Sequence, residues 1–290
     1  MLTNEKKLFI GCESDFESAS AVIFGAPFDS TTSFRPGTRF GSSAIRSESF
    51  GIETYSPYQD KDLTDYNIFD AGDPELCFGS PEKALEDIEA IATEILAADK
   101  TPVMLGGEHL VTLGAVRAVK KKYDELYIVQ FDAHADLRED YLGQQLSHAC
   151  VMRRCHQLVG DGHIHQFGIR SGERTEFEFA AEHTVMHKYT IGAELGDHID
   201  DTVKALSGKN VYITVDLDVI DPSEFPGTGT PEAGGAKFRE LLSALMKLCG
   251  GELNIVGMDI NELSPHYDPS GRSTALACKL LREMLLMTAK

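Results

Sequence analysis

The chain alternates short apolar runs with longer segments whose apolar residues recur at helical spacing. Residues 21–25, 102–105, 126–131, 164–169, 211–215 and 253–258 are runs rich in Val, Ile and aromatic side chains, and 66–70 and 184–186 are weaker runs of the same kind. Several are apolar at consecutive positions, which predicts parallel strands covered on both faces. Between them, Ser80-Pro81-Glu82 supplies an N-cap, a first-turn proline and a first-turn acid, and Leu85, Ile88, Ile91, Ala92 and Ile95 then recur at helical spacing. Residues 110–122 carry Leu113, Val116 and Val119 on one face and end in Lys120, Lys121 and Lys122, read as a solvated helix C-terminus. Phe238, Leu241, Leu242 and Leu245 mark another helix, and residues 275–287 the last. The pattern predicts one α/β domain over residues 1–290, a three-layer α-β-α sandwich around a mainly parallel sheet of about eight strands. In such sheets ligands bind at the carboxyl ends of the strands.

Chemistry-bearing residues gather at those ends. Gly106-Gly107-Glu108-His109, Asp132-Ala133-His134-Ala135-Asp136 and Asp216-Leu217-Asp218 each follow an apolar run. The two-residue spacing would point Asp132, His134 and Asp136 the same way on an extended backbone. One Asp-x-Asp alone reads as loop-capping aspartates. Together, so many acids in one place are costly to bury without cations. Carboxylate with imidazole suits Mn²⁺, Mg²⁺, Fe²⁺ or Zn²⁺, and the oxygen-rich balance leans toward Mn²⁺. Two such ions activate water, so hydrolysis is the natural reaction class.

Composition narrows the partners. The formal net charge is −19, which argues against nucleic acid and favours a cationic substrate, although a soluble acidic surface explains the same number. No run is long enough to span a membrane, and residues 1–6 show no signal-peptide core, so a cytoplasmic protein is expected. The six cysteines are scattered, which favours reduced thiols over a disulfide framework.

The sequence also resembles the ureohydrolases, the family of arginase, agmatinase and their relatives. The resemblance rests on Gly25-Ala26-Pro27-Phe28-Asp29, Arg35-Pro36-Gly37-Thr38-Arg39-Phe40-Gly41, Ala44-Ile45-Arg46, Gly106-Gly107-Glu108-His109, residues 131–136, Ser147-His148, Gly168-Ile169-Arg170, residues 215–222, Gly229-Thr230-Pro231 and residues 259–265. It implies two Mn²⁺ per subunit: one held by His109, Asp132, Asp136 and Asp216, the other by Asp132, His134, Asp216 and Asp218, with Asp132 and Asp216 bridging. It implies a metal-bridging hydroxide as nucleophile, with Asp136 accepting its hydrogen bond. Glu262 matches the carboxylate that receives the guanidinium group, and His148 a histidine that passes a proton to the leaving amine. Outside that context Glu262 reads as a surface acid and His148 as a loop histidine. Thr230 stands near the guanidinium in this reading, and Arg35 to Arg39 support the fold or a subunit contact. A homo-oligomer, a trimer or hexamer, is implied as well.

The substrate tail is argued from the segment after Asp136. Leu137-Arg138-Glu139-Asp140-Tyr141 lacks the asparagine with which arginase holds an amino acid, whereas the pattern through His148 and Gly172 is similar to bacterial agmatinases. Glu139, Asp140 and Glu173 are candidates to hold the terminal amine of agmatine, or are simply solvated. Guanidinobutyrate, whose carboxylate would call for Arg138 or Arg174, is the near alternative, followed by arginine and formiminoglutamate. A dinuclear phosphoesterase and a metal-binding homologue without turnover are the rivals from other classes.

Overall fold

The computed structural model describes residues 7–188 and 193–288; residues 1–6, the segment read above for a signal peptide, lie outside the described residues. The strands in chain order are β1 (Ala21–Ala26), β2 (Tyr55–Ser56), β3 (Lys61–Asp62), β4 (Ile68–Asp70), β5 (Thr101–Gly106), β6 (Tyr127–Phe131), β7 (Ile164–Ile169), β8 (Val185–Lys188), β9 (Asn210–Asp216) and β10 (Asn254–Asn261). The helices are α1 (Gly41–Glu48), α2 (Pro81–Ala97), α3 (Thr112–Lys122), α4 (Val151–Val159), α5 (Arg174–His183), α6 (Ala193–Ala205), α7 (Phe238–Gly250) and α8 (Arg272–Thr288). Eight strands form one sheet in the order β4-β1-β5-β10-β9-β6-β7-β8, every pair parallel; β2 and β3 form a separate antiparallel pair.

The apolar runs work as predicted because alternate residues serve opposite faces. Ile23, Val103, Leu105, Val129, Ile213 and Val215 enter a core with α1, α6, α7 and α8. Val22, Phe24, Met104, Ile128 and Tyr212 enter a second core with α2, α3, α4 and α5. A sheet apolar on both sides needs helices on both, which gives the three layers.

Helix α2 begins as its sequence predicts, with Ser80 Oγ accepting from Lys83 N at 3.3 Å and Pro81 in the first turn. The lysine run at the end of α3 is solvated, with Lys121 and Lys122 exposed. Lys122 Nζ also donates to Leu96 O at 2.6 Å and to Asp99, Lys121 pairs with Glu89, and Lys120 donates to Asp124 O at 2.6 Å. Lys121 and Lys122 thereby link α3 to α2 and the turn after it. The loop after β1 is organised by Asp29, whose Oδ2 accepts from Gly37 N at 2.9 Å and Arg39 N at 3.2 Å, while Oδ1 pairs with the Arg39 guanidinium. Buried Arg46 likewise pairs with Asp70 and Asp73. Among the described residues no helix is long and apolar enough to cross a membrane.

Candidate metal centre

The carboxyl ends of β5, β6, β9 and β10, four neighbours at the middle of the sheet, deliver their next residues to one point. The turn after β5 brings His109, which requires Gly106 and Gly107. A Cβ on Gly107 would lie 2.0 Å from Phe28 O, and one on Gly106 1.8 Å from Asn261 Oδ1. The segment after β6 brings Asp132, His134 and Asp136, that after β9 brings Asp216 and Asp218, and that after β10 brings Glu262.

His109 Nδ1 lies 3.0 Å from both Asp132 Oδ2 and Asp136 Oδ2, and 3.4 Å from Asp216 Oδ2. His134 Nδ1 lies 3.0 Å from Asp218 Oδ2 and 3.6 Å from Asp132 Oδ1. Two donor groups result, His109 with Asp132 and Asp136, and Asp132 with His134 and Asp218; they share Asp132. Asp132, Asp136, Asp216, Asp218 and Glu262 are all buried. Among the described residues no Lys or Arg forms an ion pair with any of these five.

The electrostatic cost shows in the carboxyl groups. Burial, then the ionised Asp132, pushes Asp136 up to about 7. Burial and neighbouring carboxylates push Asp216 and Glu262 well above the usual range. Burial works the same way on Asp132, but the His109 and His134 contacts outweigh it and hold that carboxyl below its ordinary value. Such a donor set holds protons on its own and releases them to divalent cations, so its chemistry fits a pair of metal ions.

Between Asp132 and Asp136 the chain leaves β6, with His134 in an isolated parallel bridge to Ser171. Asp136 has φ 53° and Ala135 N donates to Ser171 O at 3.0 Å. The turn sends Asp136 toward His109 and His134 toward Asp218, so the two-residue spacing feeds two donor groups. Glu108 also parts from the cluster. Its carboxyl accepts from Thr31 Oγ1 at 2.6 Å and Thr31 N at 3.1 Å, and burial pushes it up to about 8. Glu262, at φ 67°, accepts from His109 N through Oε1 at 2.8 Å.

A second layer went unread in the sequence. His109 Nε2 lies 2.9 Å from Thr214 Oγ1. Asp259, beside it, accepts from Tyr212 OH at 2.7 Å, Thr112 Oγ1 at 2.9 Å and Asn261 Nδ2 at 2.7 Å. Gln130 Nε2 donates to Asp132 Oδ2 at 2.6 Å, and Gln166 Nε2 donates to Gln130 Oε1 at 2.7 Å. Polar residues inside otherwise apolar strands were the available signal, because a buried polar group demands a partner.

Above the cluster opens a cavity of about 280 Å³, lined by residues that include His134, Asp136, His148, Thr230, Arg138, Tyr141, Glu173 and Glu176. His148 Nδ1 faces Thr31 O at 3.0 Å; a carbonyl only accepts, so Nδ1 carries the proton and Nε2, 3.2 Å from Ser33 Oγ, holds the lone pair. Burial pushes His148 down to about 4. Thr230 Oγ1 donates to Asp218 Oδ2 at 3.3 Å. Of the acids proposed for the substrate tail, only Glu173 lines the cavity, paired with Arg138 at 3.1 Å. Glu139 instead pairs with Arg153 at 2.8 Å and Arg154 at 3.3 Å, and Asp140 caps a turn through Gly143 N at 2.9 Å.

The chain is similar to known proteins over nearly its whole length. The agmatinase of Halalkalibacterium halodurans is 46% identical over 97% of this chain and 96% of its own, and that of Bacillus subtilis 45% identical over the same shares. The solved agmatine ureohydrolase of Thermoplasma volcanium superposes with a TM-score of 0.88 at 34% identity, covering 98% of this chain and 94% of its own. The arginase family model matches residues 19–287. The chain belongs to the arginase family.

Proposed function

We propose that this protein hydrolyses agmatine to putrescine and urea. The observation that carries the reading is a buried floor of five carboxylates and two imidazoles with no Lys or Arg paired to it among the described residues, opening into a cavity with an acidic rim. The names of the similar proteins, agmatinase and agmatine ureohydrolase, support the same substrate.

In this reading His109, Asp132, Asp136 and Asp216 would hold one Mn²⁺, and Asp132, His134, Asp216 and Asp218 the other. The bound pair would supply the Lewis acidity that activates water and stabilises developing negative charge. Glu262 receives guanidinium N–H groups; His109 N–H already occupies one lone pair of Oε1, which fixes the carboxylate before substrate arrives. Asp136 accepts a proton at its carboxylate as water attacks the guanidinium carbon. The proton taken up by Asp136 is relayed to the leaving amine through the Nε2 lone pair of His148, whose tautomer the Thr31 carbonyl holds. Thr230 steadies Asp218 and borders the guanidinium.

At the rim, Glu173 and Glu176 outnumber Arg138, which leaves an acidic balance for a terminal ammonium. Guanidinobutyrate would need Arg138 free, yet both glutamates hold it. Exposed Phe34, Phe50, Phe78 and Leu142 offer apolar surface that a homo-oligomer, a trimer or hexamer, would cover. A cytoplasmic location fits the reading.

The test is urea release from Mn²⁺-loaded protein with agmatine, arginine, guanidinobutyrate and guanidinopropionate in parallel. Agmatine is expected to lead in kcat/KM by at least tenfold. Preference for a carboxylate-bearing substrate would overturn the tail assignment, and no turnover of any of the four would overturn the reading.

A further inference from the structure

At the opposite edge of the sheet, before the first residue of β7, two imidazoles and a carboxylate meet. His156 Nε2 and His183 Nδ1 each lie 2.7 Å from Asp161 Oδ1, and the three donor atoms fall within 4.8 Å of one another. They come from three places in the chain: α4, the loop into β7 and the last residue of α5.

Packing and backbone bonds hold the three in place together. Phe179 packs edge-on against His156, with ring centroids 5.0 Å apart, and stacks on His183 at 4.2 Å. The Asp161 loop is fixed by Gly160 N donating to His156 O at 2.8 Å and Gly162 N donating to His183 O at 2.9 Å. Both glycines have positive φ, 88° and 73°, so the loop closes tightly on the two histidine backbones. The side chains of His156 and His183 are 16% and 31% exposed, and that of Asp161 is 68% exposed. The imidazoles are therefore ordered by packing while the carboxylate faces water. That arrangement leaves solvent ligands room to complete a coordination sphere.

We propose that His156, Asp161 and His183 form a separate binding site for one divalent transition-metal ion per chain. Its two-nitrogen, one-oxygen donor set is richer in imidazole than the carboxylate cluster, so it selects toward Zn²⁺, Ni²⁺ or Cu²⁺ over Mn²⁺. A bound ion clamps the carboxyl ends of α4 and α5 together. None of the three residues lines the cavity, so the site is apart from turnover.

The probe is Zn²⁺ added to the Mn²⁺-loaded full chain, with zinc and manganese both counted by elemental analysis so that exchange at the carboxylate cluster is subtracted. Wild type is expected to take up one zinc more than the double variant H156Q/H183Q. Zinc should also raise the Tm of wild type and leave that of the double variant unmoved. Asp161→Asn, at an exposed position where folding is not at stake, should weaken the extra zinc at least tenfold. Urea release should be equal in all three. Equal zinc uptake by wild type and both variants, or no uptake beyond the manganese exchanged, would overturn the site.

Discussion

The floor and the rim of the cavity are both acidic, and they treat charge in opposite ways. On the floor, Asp132, Asp216 and Asp218 are at most 3% exposed, and the basic side chains they meet among the described residues are imidazoles. On the rim, Glu173 has a side chain 55% exposed and an arginine, Arg138, at 3.1 Å. A buried carboxylate without a protein cation is unstable unless a cation comes from outside, whereas an exposed one is already satisfied by water and its neighbour. Floor positions are thus set by the chemistry, and rim positions adjust what the chemistry acts upon.

That contrast can be broken most severely at Asp218. Asp218→Ala should remove bound metal and lower kcat/KM at least ~1000-fold, on the order of 4 kcal/mol of barrier. Elemental analysis beside urea release checks it, and turnover persisting after complete metal loss would rule out a two-metal floor. His148 sharpens the boundary, since it lines the cavity without belonging to either donor group. His148→Gln should lower kcat about 100-fold with metal content unchanged. An unaltered kcat would remove His148 from the proton path. The rim should respond least. Glu173→Gln should raise the KM for agmatine about three- to tenfold, roughly 1 kcal/mol, with kcat preserved. Glu139→Gln should stay within about twofold, because its arginines lie on α4, away from the cavity. Reversed sizes for these two variants would relocate the amine-binding acid.

The strands were legible because burial on both faces writes continuous apolar runs, and the acidic cluster because no ordinary core tolerates so many acids at strand ends. Short or polar elements went unread: α1, α4 to α6 and the β2–β3 pair. Asp136 shows what local spacing omits. Its two-residue step from His134 suggested an extended segment, but a left-handed residue turns it toward His109, a contact across the sheet that local pattern does not encode. Glu108 was grouped with His109 by adjacency, and its bond to Thr31 depends on how the β1 loop returns. Glu139 stands among the candidates for the amine because the arginines that hold it lie fourteen and fifteen positions further on, in a helix the sequence does not announce.

The strand order has a consequence in time. Strand β10, the last to leave the ribosome, sits between β5 and β9 and joins β4-β1-β5 to β9-β6-β7-β8. His109 lies on one half, while Asp132, His134, Asp136, Asp216 and Asp218 lie on the other. During synthesis the nascent chain can assemble each half, yet the gap between them closes only after residue 261 has emerged. Glu262 arrives with the same strand. Capture of the full metal pair is therefore a late maturation event, and a ribosome stalled before β10 displays Asp132, His134, Asp216 and Asp218 apart from His109.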